Sequence, residues 1–216
     1  MTTPPATAGQ AVSDTAAVVS LDEQDHWRAG LYALISRLFF EGPDAVLLAQ
    51  LSVDTGEGDD TPLGRAWQQL ALAAAAADAA ALQHEHAMLF IGVGKAPVTP
   101  YTSAYVAGVS PERHLLLLRQ QLEQWGLGRD AAATLLEDHM AGVCDTLRHL
   151  ILRAEPAPVQ KEFFNKYIYL QTRALCKVLL DAKPSQFYVE VARFVVAFLD
   201  VEHEGFDMIA SHADFL

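Results

Sequence analysis

The chain has 216 residues, of which 51% are hydrophobic, and its 27 acidic against 15 basic residues give a formal net charge of -12. This length suits one globular domain with a sizeable core, and the apolar fraction excludes a largely disordered protein. The negative charge argues against nucleic acid and against an anionic membrane surface as partners, because both attract clustered Lys and Arg. We therefore expect any charged partner to be basic.

Residues 1–20 are rich in Thr, Ala, Pro and Ser and predict a flexible N-terminal tail. They contain no Lys or Arg and no apolar core, so they do not form a secretory signal. No apolar run reaches the roughly 18 residues that a membrane-spanning helix needs, and membrane insertion is not expected. Cys144 and Cys176 are far apart in sequence and indicate buried thiols in a reducing compartment. We therefore predict a cytoplasmic protein with one all-helical domain over residues 21–216.

In the first half of the chain, apolar residues recur at helical spacing. Gly42 and Pro43 end the first predicted helix, and Asp78 marks a break in a longer helical region. The elements predicted for this half are helices from near Asp22, over 44–51 and over about 63–91, with irregular segments over 53–62 and 92–100.

The second half continues the helical pattern. Ser110 followed by Pro111 is typical of an N-cap and a first helical position, and Gly126 ends that helix. The further predicted helices are one over 130–153 capped by Asp130, one over 159–181 and one over 185–202, followed by a coil or short helix. Strand patterns are nearly absent. The predicted fold class is therefore all-α, a single-domain helical bundle of about eight to ten helices.

The longest predicted helix of this half carries the main candidate site. One apolar stripe is assigned to the core: Leu136, Met140, Val143, Leu147, Leu150 and Ile151. Asp138 and Asp145 are seven positions apart, so they are predicted to share the opposite helix face, with His139 at its border. This face is interpreted either as a solvated surface with an Asp145–His149 pair, or as an acidic stripe that a ligand backbone approaches at Gly142.

Sequence motifs for catalysis, phosphate binding and metal binding are absent. We find no glycine-rich phosphate loop and no nucleophile elbow. His84 and His86 are two positions apart, so on a helix their rings point about 200° from each other and cannot share an ion. We therefore expect no catalytic residue, no cofactor and no metal.

Three segments, in this order along the chain, carry a recognisable pattern. The first motif segment runs from Glu85 to Gly92 and on to Pro100-Tyr101-Thr102-Ser103-Ala104-Tyr105, the second is Leu135-Leu136-Glu137-Asp138-His139, and the third begins Ser185-Gln186-Phe187-Tyr188. They are similar to the E-Y-x-x-L-F-x-G and P-Y-x-S-x-Y, the E-P-x-D-H and the C-terminal F-Y motifs of one family. The chain thus resembles the TorD/DmsD/NarJ family of cytosolic chaperones for molybdenum oxidoreductases.

The resemblance implies a TorD-like all-α domain that binds the apo catalytic subunit of a molybdopterin oxidoreductase until its cofactor is inserted, often through the twin-arginine signal peptide of that subunit. It implies no catalysis, and it includes homodimers among the expected states. A twin-arginine peptide is cationic and then apolar, so its receptor needs carboxylates and an apolar groove. Asp138 and Asp145 are the expected carboxylates, beside His139. The residues expected to line or support the groove are Tyr101, Ser103, Tyr105 and Met140.

Other interpretations remain open at this stage. Tyr101 and Ser103 are equally suited to pinning the irregular 92–100 segment to the body of the protein by hydrogen bonds. The whole chain also fits a helical interaction or regulatory module unrelated to redox enzymes. A hydrolase that uses Asp138 and His139 as a dyad is a third hypothesis, supported only by the adjacency of an acid and an imidazole.

Overall fold

The computed structural model describes residues 21–53, 60–92, 95–128, 135–183 and 185–213, with side chains to residue 209. Within these residues there are nine α-helices: α1 Glu23–Phe40, α2 Ala45–Val53, α3 Pro62–Ala76, α4 Ala79–His86, α5 Pro111–Gln124, α6 Met140–Leu152, α7 Ala157–Tyr167, α8 Tyr169–Asp181 and α9 Phe187–Ala213. A π-helical turn at Ala87–Ile91 extends α4, and a 3-10 turn occupies Thr102–Tyr105. The described residues form no strand, which confirms the predicted all-α class. The predicted tail, residues 1–20, lies outside this description.

Helix starts in the first part of the chain follow the residues that predicted them. The side chains of Asp22, Asp78 and Ser110 each accept a hydrogen bond from the backbone N–H three residues further on. Such a bond satisfies one of the amide groups that a helix N-terminus leaves without a partner. The predicted start at Asp22, the break at Asp78 and the start at Ser110 are therefore confirmed.

The core forms where α1 packs on α6 and where α9 packs on α3 and α8. Aromatic side chains fill much of it, and Tyr32 and Phe198 meet edge to face with ring centroids 5.0 Å apart. Edge-to-face pairs add stabilisation beyond the area that they bury. Among the described helices, none is both long and apolar enough to cross a bilayer.

The predicted helix over 130–153 is wrong over residues 135–139. Residues 135–139 form a turn and an isolated bridge, and α6 begins only at Met140. The side chain of His139 is the N-cap and accepts a hydrogen bond from the N–H of Ala141. The predicted cap, Asp130, lies outside the described residues.

The last two predicted helices also differ from the structure. The segment 159–181 is two helices, α7 and α8, which meet at Ile168; Ile168 is neither Pro nor Gly, so the sequence carries no signal for this break. The coil or short helix predicted after residue 202 is instead the second half of α9, which continues to Ala213. This half is helical because Glu202 is bound to α1 and Phe206 packs on Phe164 with ring centroids 5.3 Å apart.

Candidate functional site

The first and third motif segments meet at the N-terminus of α9. One carboxylate oxygen of Glu85 accepts hydrogen bonds from the N–H groups of Gln186 at 2.7 Å and Tyr188 at 3.0 Å, and the other accepts one from Phe187 at 3.3 Å. A negative charge with three backbone donors suits a helix N-terminus. The hydroxyl of Tyr188 in turn donates to the carbonyl of Leu38 at 2.7 Å. These motif residues therefore hold three elements together.

The second motif segment is clamped to the end of the first. The N–H of Thr102 donates to the carbonyl of Asp138 and the N–H of Met140 donates to the carbonyl of Pro100, both at 2.8 Å. The Tyr101 ring stands edge-on to the His139 ring, with centroids 5.2 Å apart. The clamp fixes the position of the turn that precedes α6.

Three other predicted site residues lie around this clamp. The hydroxyl of Tyr105 donates to the carbonyl of Thr99 at 2.9 Å, and Ser103 is buried. Met140 is fully buried, and its sulfur accepts a hydrogen bond from the hydroxyl of Thr172 at 3.3 Å. Tyr105 thus holds the backbone at Thr99, whereas the sequence interpretation gave the pinning of this region to Tyr101 and Ser103.

Asp138 does not share a helix face with Asp145, and that prediction is wrong because Asp138 precedes the helix. Its side chain is only 1% exposed, and one of its carboxylate oxygens is buried with no hydrogen-bond partner among the described residues. No hydrogen bond joins Asp138 to His139, whose Nδ1 instead accepts from the N–H of Ala141 at 3.2 Å. Asp138 and His139 therefore form no hydrogen-bonded dyad.

His139 is an uncharged hydrogen-bonding group. Burial, together with a smaller contribution from the nearby His86, lowers its pKa from 6.5 to about 4. Because Nδ1 accepts the capping hydrogen bond, the ring proton of the neutral form lies on Nε2. His139 can therefore donate one hydrogen bond at neutral pH but cannot serve as a cation there.

Beside this turn, a groove of about 400 Å³ follows the N-terminal half of α6, and we call it the α6 groove. Its apolar wall consists of Phe40, Leu122, Leu127, Leu135, Leu136 and Ala141, with Gly128 and Gly142. Its polar wall consists of Glu137, His139, Asp145, Thr146 and His149. The side chains of Phe40 and Leu136 are exposed at this groove. Large apolar side chains that remain exposed around a concave surface are typical of a binding site.

The two carboxylates that line the α6 groove, those of Glu137 and Asp145, differ in their partners among the described residues. The carboxylate of Glu137 is paired with the guanidinium of Arg119 at 2.9 Å. Asp145 is exposed, and the described part of the chain offers its carboxylate no hydrogen bond and no ion pair. An anionic group beside an apolar surface can receive a segment that has both a cationic and an apolar part.

Of the seven predicted site residues, the α6 groove brings together His139 and Asp145. Asp138, Met140, Tyr101, Ser103 and Tyr105 do not line it. The sequence reasoning missed Phe40, although its place at the end of an apolar helix, just before Gly42-Pro43, could have indicated an exposed aromatic residue.

The surroundings of Gly142 also differ from the expectation that a ligand backbone approaches the helix there. A Cβ atom at this position would lie 2.9 Å from the carbonyl oxygen of Glu137, so the protein's own turn occupies the space that was assigned to a ligand backbone.

The described residues contain no group of three or more metal-ligating side chains. His84 is exposed and His86 is buried, as expected for rings on different helix faces.

The nitrate reductase delta subunit family matches residues 57–181, which is more than half of the chain. Among solved structures, the fold is similar to that of a protein from Archaeoglobus fulgidus assigned to redox enzyme maturation, with a TM-score of 0.53 and 21% sequence identity over 84% of this chain and 99% of that one. Among curated proteins, no sequence matches significantly.

Proposed function

The chain belongs to the nitrate reductase delta subunit family, the NarJ/TorD type of redox enzyme maturation chaperone, and from this premise we propose that it binds the apo catalytic subunit of a molybdopterin oxidoreductase until the cofactor is inserted. Maturation proteins of this family are chaperones and not catalysts. The proposal includes the twin-arginine signal peptide of the client as one bound segment. Because such a client is bound before export, we place the complex in the cytoplasm.

The observation that carries this proposal is the α6 groove. Its apolar wall matches the apolar part of a signal peptide, and the carboxylate of Asp145, which no described residue pairs, matches its cationic part. A guanidinium and a carboxylate form short, charge-assisted hydrogen bonds, often two at once. The neutral His139, which also lines the groove, can donate one hydrogen bond to a backbone carbonyl of the same segment.

The competing hydrolase hypothesis requires Asp138 and His139 to act together as a dyad. A dyad needs a hydrogen bond between the base and the residue that orients it. His139 uses Nδ1 to cap α6, and Asp138 makes no hydrogen bond to it.

The proposal is tested by capture of the purified apo catalytic subunit, with and without its signal peptide. Asp145→Asn keeps the shape of the side chain and removes its charge, so we expect the affinity for the signal-bearing subunit to fall about tenfold, as one charge-assisted hydrogen bond would predict. Asp181→Asn, an equal change of charge at an exposed position outside the groove, is the matched control and should leave the affinity unchanged.

Two results would contradict the proposal. If neither form of the subunit is captured by the unmodified chain, client binding itself is wrong. If Asp145→Asn and Asp181→Asn lower the affinity equally, the α6 groove is not where the cationic part of the client binds. Loss of affinity only for the subunit that carries its signal peptide would identify that peptide as the segment in the groove.

A further inference from the structure

A second groove, larger than the first, lies between α3, α4 and the N-terminus of α9, and we call it the α9 groove. Its volume is about 720 Å³. Its apolar wall consists of Ala73, Ala76, Ala77, Ala81, Leu82, Met88 and Phe187, and its polar wall of Asp78, His84, Glu85, Gln186 and Glu190. It shares no lining residue with the α6 groove, so a partner bound here makes separate contacts.

The charge of the α9 groove has one sign. Three of its lining residues are carboxylates, and none is Lys or Arg. The carboxylates of Asp78 and Glu85 accept hydrogen bonds from the N-termini of α4 and α9. An excess of negative charge in a concave surface attracts a cationic segment.

Glu190 is the carboxylate in this groove that still has accepting capacity. One of its oxygens accepts a hydrogen bond from the guanidinium of Arg193 at 2.6 Å, and the other is buried with no partner in the described residues. The Arg193 side chain is 58% exposed, and an ion pair three residues apart on a helix surface is weak. Arg193 is therefore easily replaced on Glu190 by another guanidinium.

The apolar wall of the α9 groove determines the surroundings of a second guanidinium bound at Glu190. Four of its seven residues are alanines, so few side-chain atoms separate the backbone of the wall from an incoming chain. Small side chains let two backbones approach closely, and Leu82, Met88 and Phe187 add apolar surface beside them. The surface suits a protein segment more than a single small cation, because most of its contact area is apolar.

We propose that the α9 groove docks a segment of a protein partner that carries an arginine among small apolar side chains. The arginine displaces Arg193 and takes both oxygens of Glu190 in a bidentate pair. Because this groove shares no lining residue with the α6 groove, the proposal goes beyond the proposed function and gives the chaperone a second point of contact.

The test uses the full chain and a short labelled peptide of alanines with two arginines, at low salt. The peptide has no large apolar side chain, so the α6 groove offers it little area. We expect it to bind, and to bind about tenfold more weakly to Glu190→Gln. Glu204→Gln, the same charge change at an exposed position on the same helix, should leave binding unchanged. The same peptide with glutamines in place of the arginines should not bind.

A second pair of variants tests the displacement of Arg193. Arg193→Gln removes the competitor, so we expect tighter binding of the arginine peptide, while Arg153→Gln, the same charge change outside the groove, should have no such effect. Equal affinity for Glu190→Gln and the unmodified chain would overturn the proposal, as would binding of spermidine but not of the peptide. Asp145→Asn separates the two grooves: binding of this peptide that falls with Asp145→Asn and not with Glu190→Gln would place it in the α6 groove and overturn the proposal.

Discussion

Two carboxylates of this protein, Glu202 and Asp145, have opposite surroundings. Glu202 is buried on α9, where it accepts hydrogen bonds from Arg28 at 2.7 and 3.0 Å and from the hydroxyl of Tyr32 at 3.1 Å. Asp145 is exposed on α6, and the part of the chain that the structure describes gives its carboxylate no such partner. The first carboxylate is committed to the fold, and the second is available to another molecule.

The same difference separates most of the motif residues from the α6 groove. Glu85 and Tyr188, which make the family pattern recognisable, use their polar side-chain atoms in hydrogen bonds within the protein. In the groove, apolar side chains and Asp145 face outward. We infer that the first and third motif segments chiefly maintain the scaffold, while the second, through Leu136 and His139, also lines the α6 groove.

The largest expected effect comes from removing the buried carboxylate. Glu202→Ala should lower the free energy of unfolding by about 3 kcal/mol, because it leaves the guanidinium of Arg28 buried and only partly compensated by Asp25. Urea unfolding measures this loss. A loss below about 1 kcal/mol would place Glu202 among the weak surface pairs and weaken the comparison.

The next effect is a dependence of stability on pH. The pKa of His139 is lowered from 6.5 to about 4, so its contribution to stability is present above about pH 6.5 and is lost as the pH falls towards 4. Burial also lowers the pKa of His86 and of His114, which adds in the same direction.

Between pH 7 and pH 5, His139 alone should account for about 2 kcal/mol of lost stability. His139→Asn keeps an acceptor at the N-cap and removes the titrating ring. Urea unfolding at both pH values should show a smaller acid loss in this variant than in the unmodified chain. Equal acid losses in the two proteins would mean that His139 is not the titrating group.

A smaller effect distinguishes two helical glycines. A Cβ atom at Gly142 would lie 2.9 Å from the carbonyl oxygen of Glu137, whereas at Gly205 it would meet nothing within 4 Å. Gly142→Ala should therefore destabilise the protein by about 1 kcal/mol, despite the gain in helix propensity. Gly205→Ala should stabilise it by about 0.5–1 kcal/mol. Thermal unfolding of both variants checks the opposite signs.

The sequence predicted the first helices well because local residues determine where they begin. Asp22, Asp78 and Ser110 cap their helices with their own side chains. The start of α6 and the length of α9 depend instead on distant partners. Thr102 and Pro100 hold the turn before α6, and Arg28 binds the second half of α9. Helical periodicity contains no information about such contacts.

The site was predicted only in part for the same reason. Asp145 lies within a helix whose apolar stripe was recognised, so its exposure followed from periodicity. A helix that continued through residue 138 would put Asp138 on the same face, but α6 begins only at Met140. Phe40 reaches the α6 groove because α1 packs against α6, a contact between distant parts of the chain that no local pattern encodes.

The most direct test of the central claim is site-specific photo-crosslinking to the apo catalytic subunit. A benzophenone side chain at Leu136, exposed on the α6 groove, should crosslink to the client, and one at Leu170, exposed on α8 outside both grooves, should not. Crosslinks of equal yield from both positions, or from Leu170 alone, would contradict the assignment of the α6 groove as the client site.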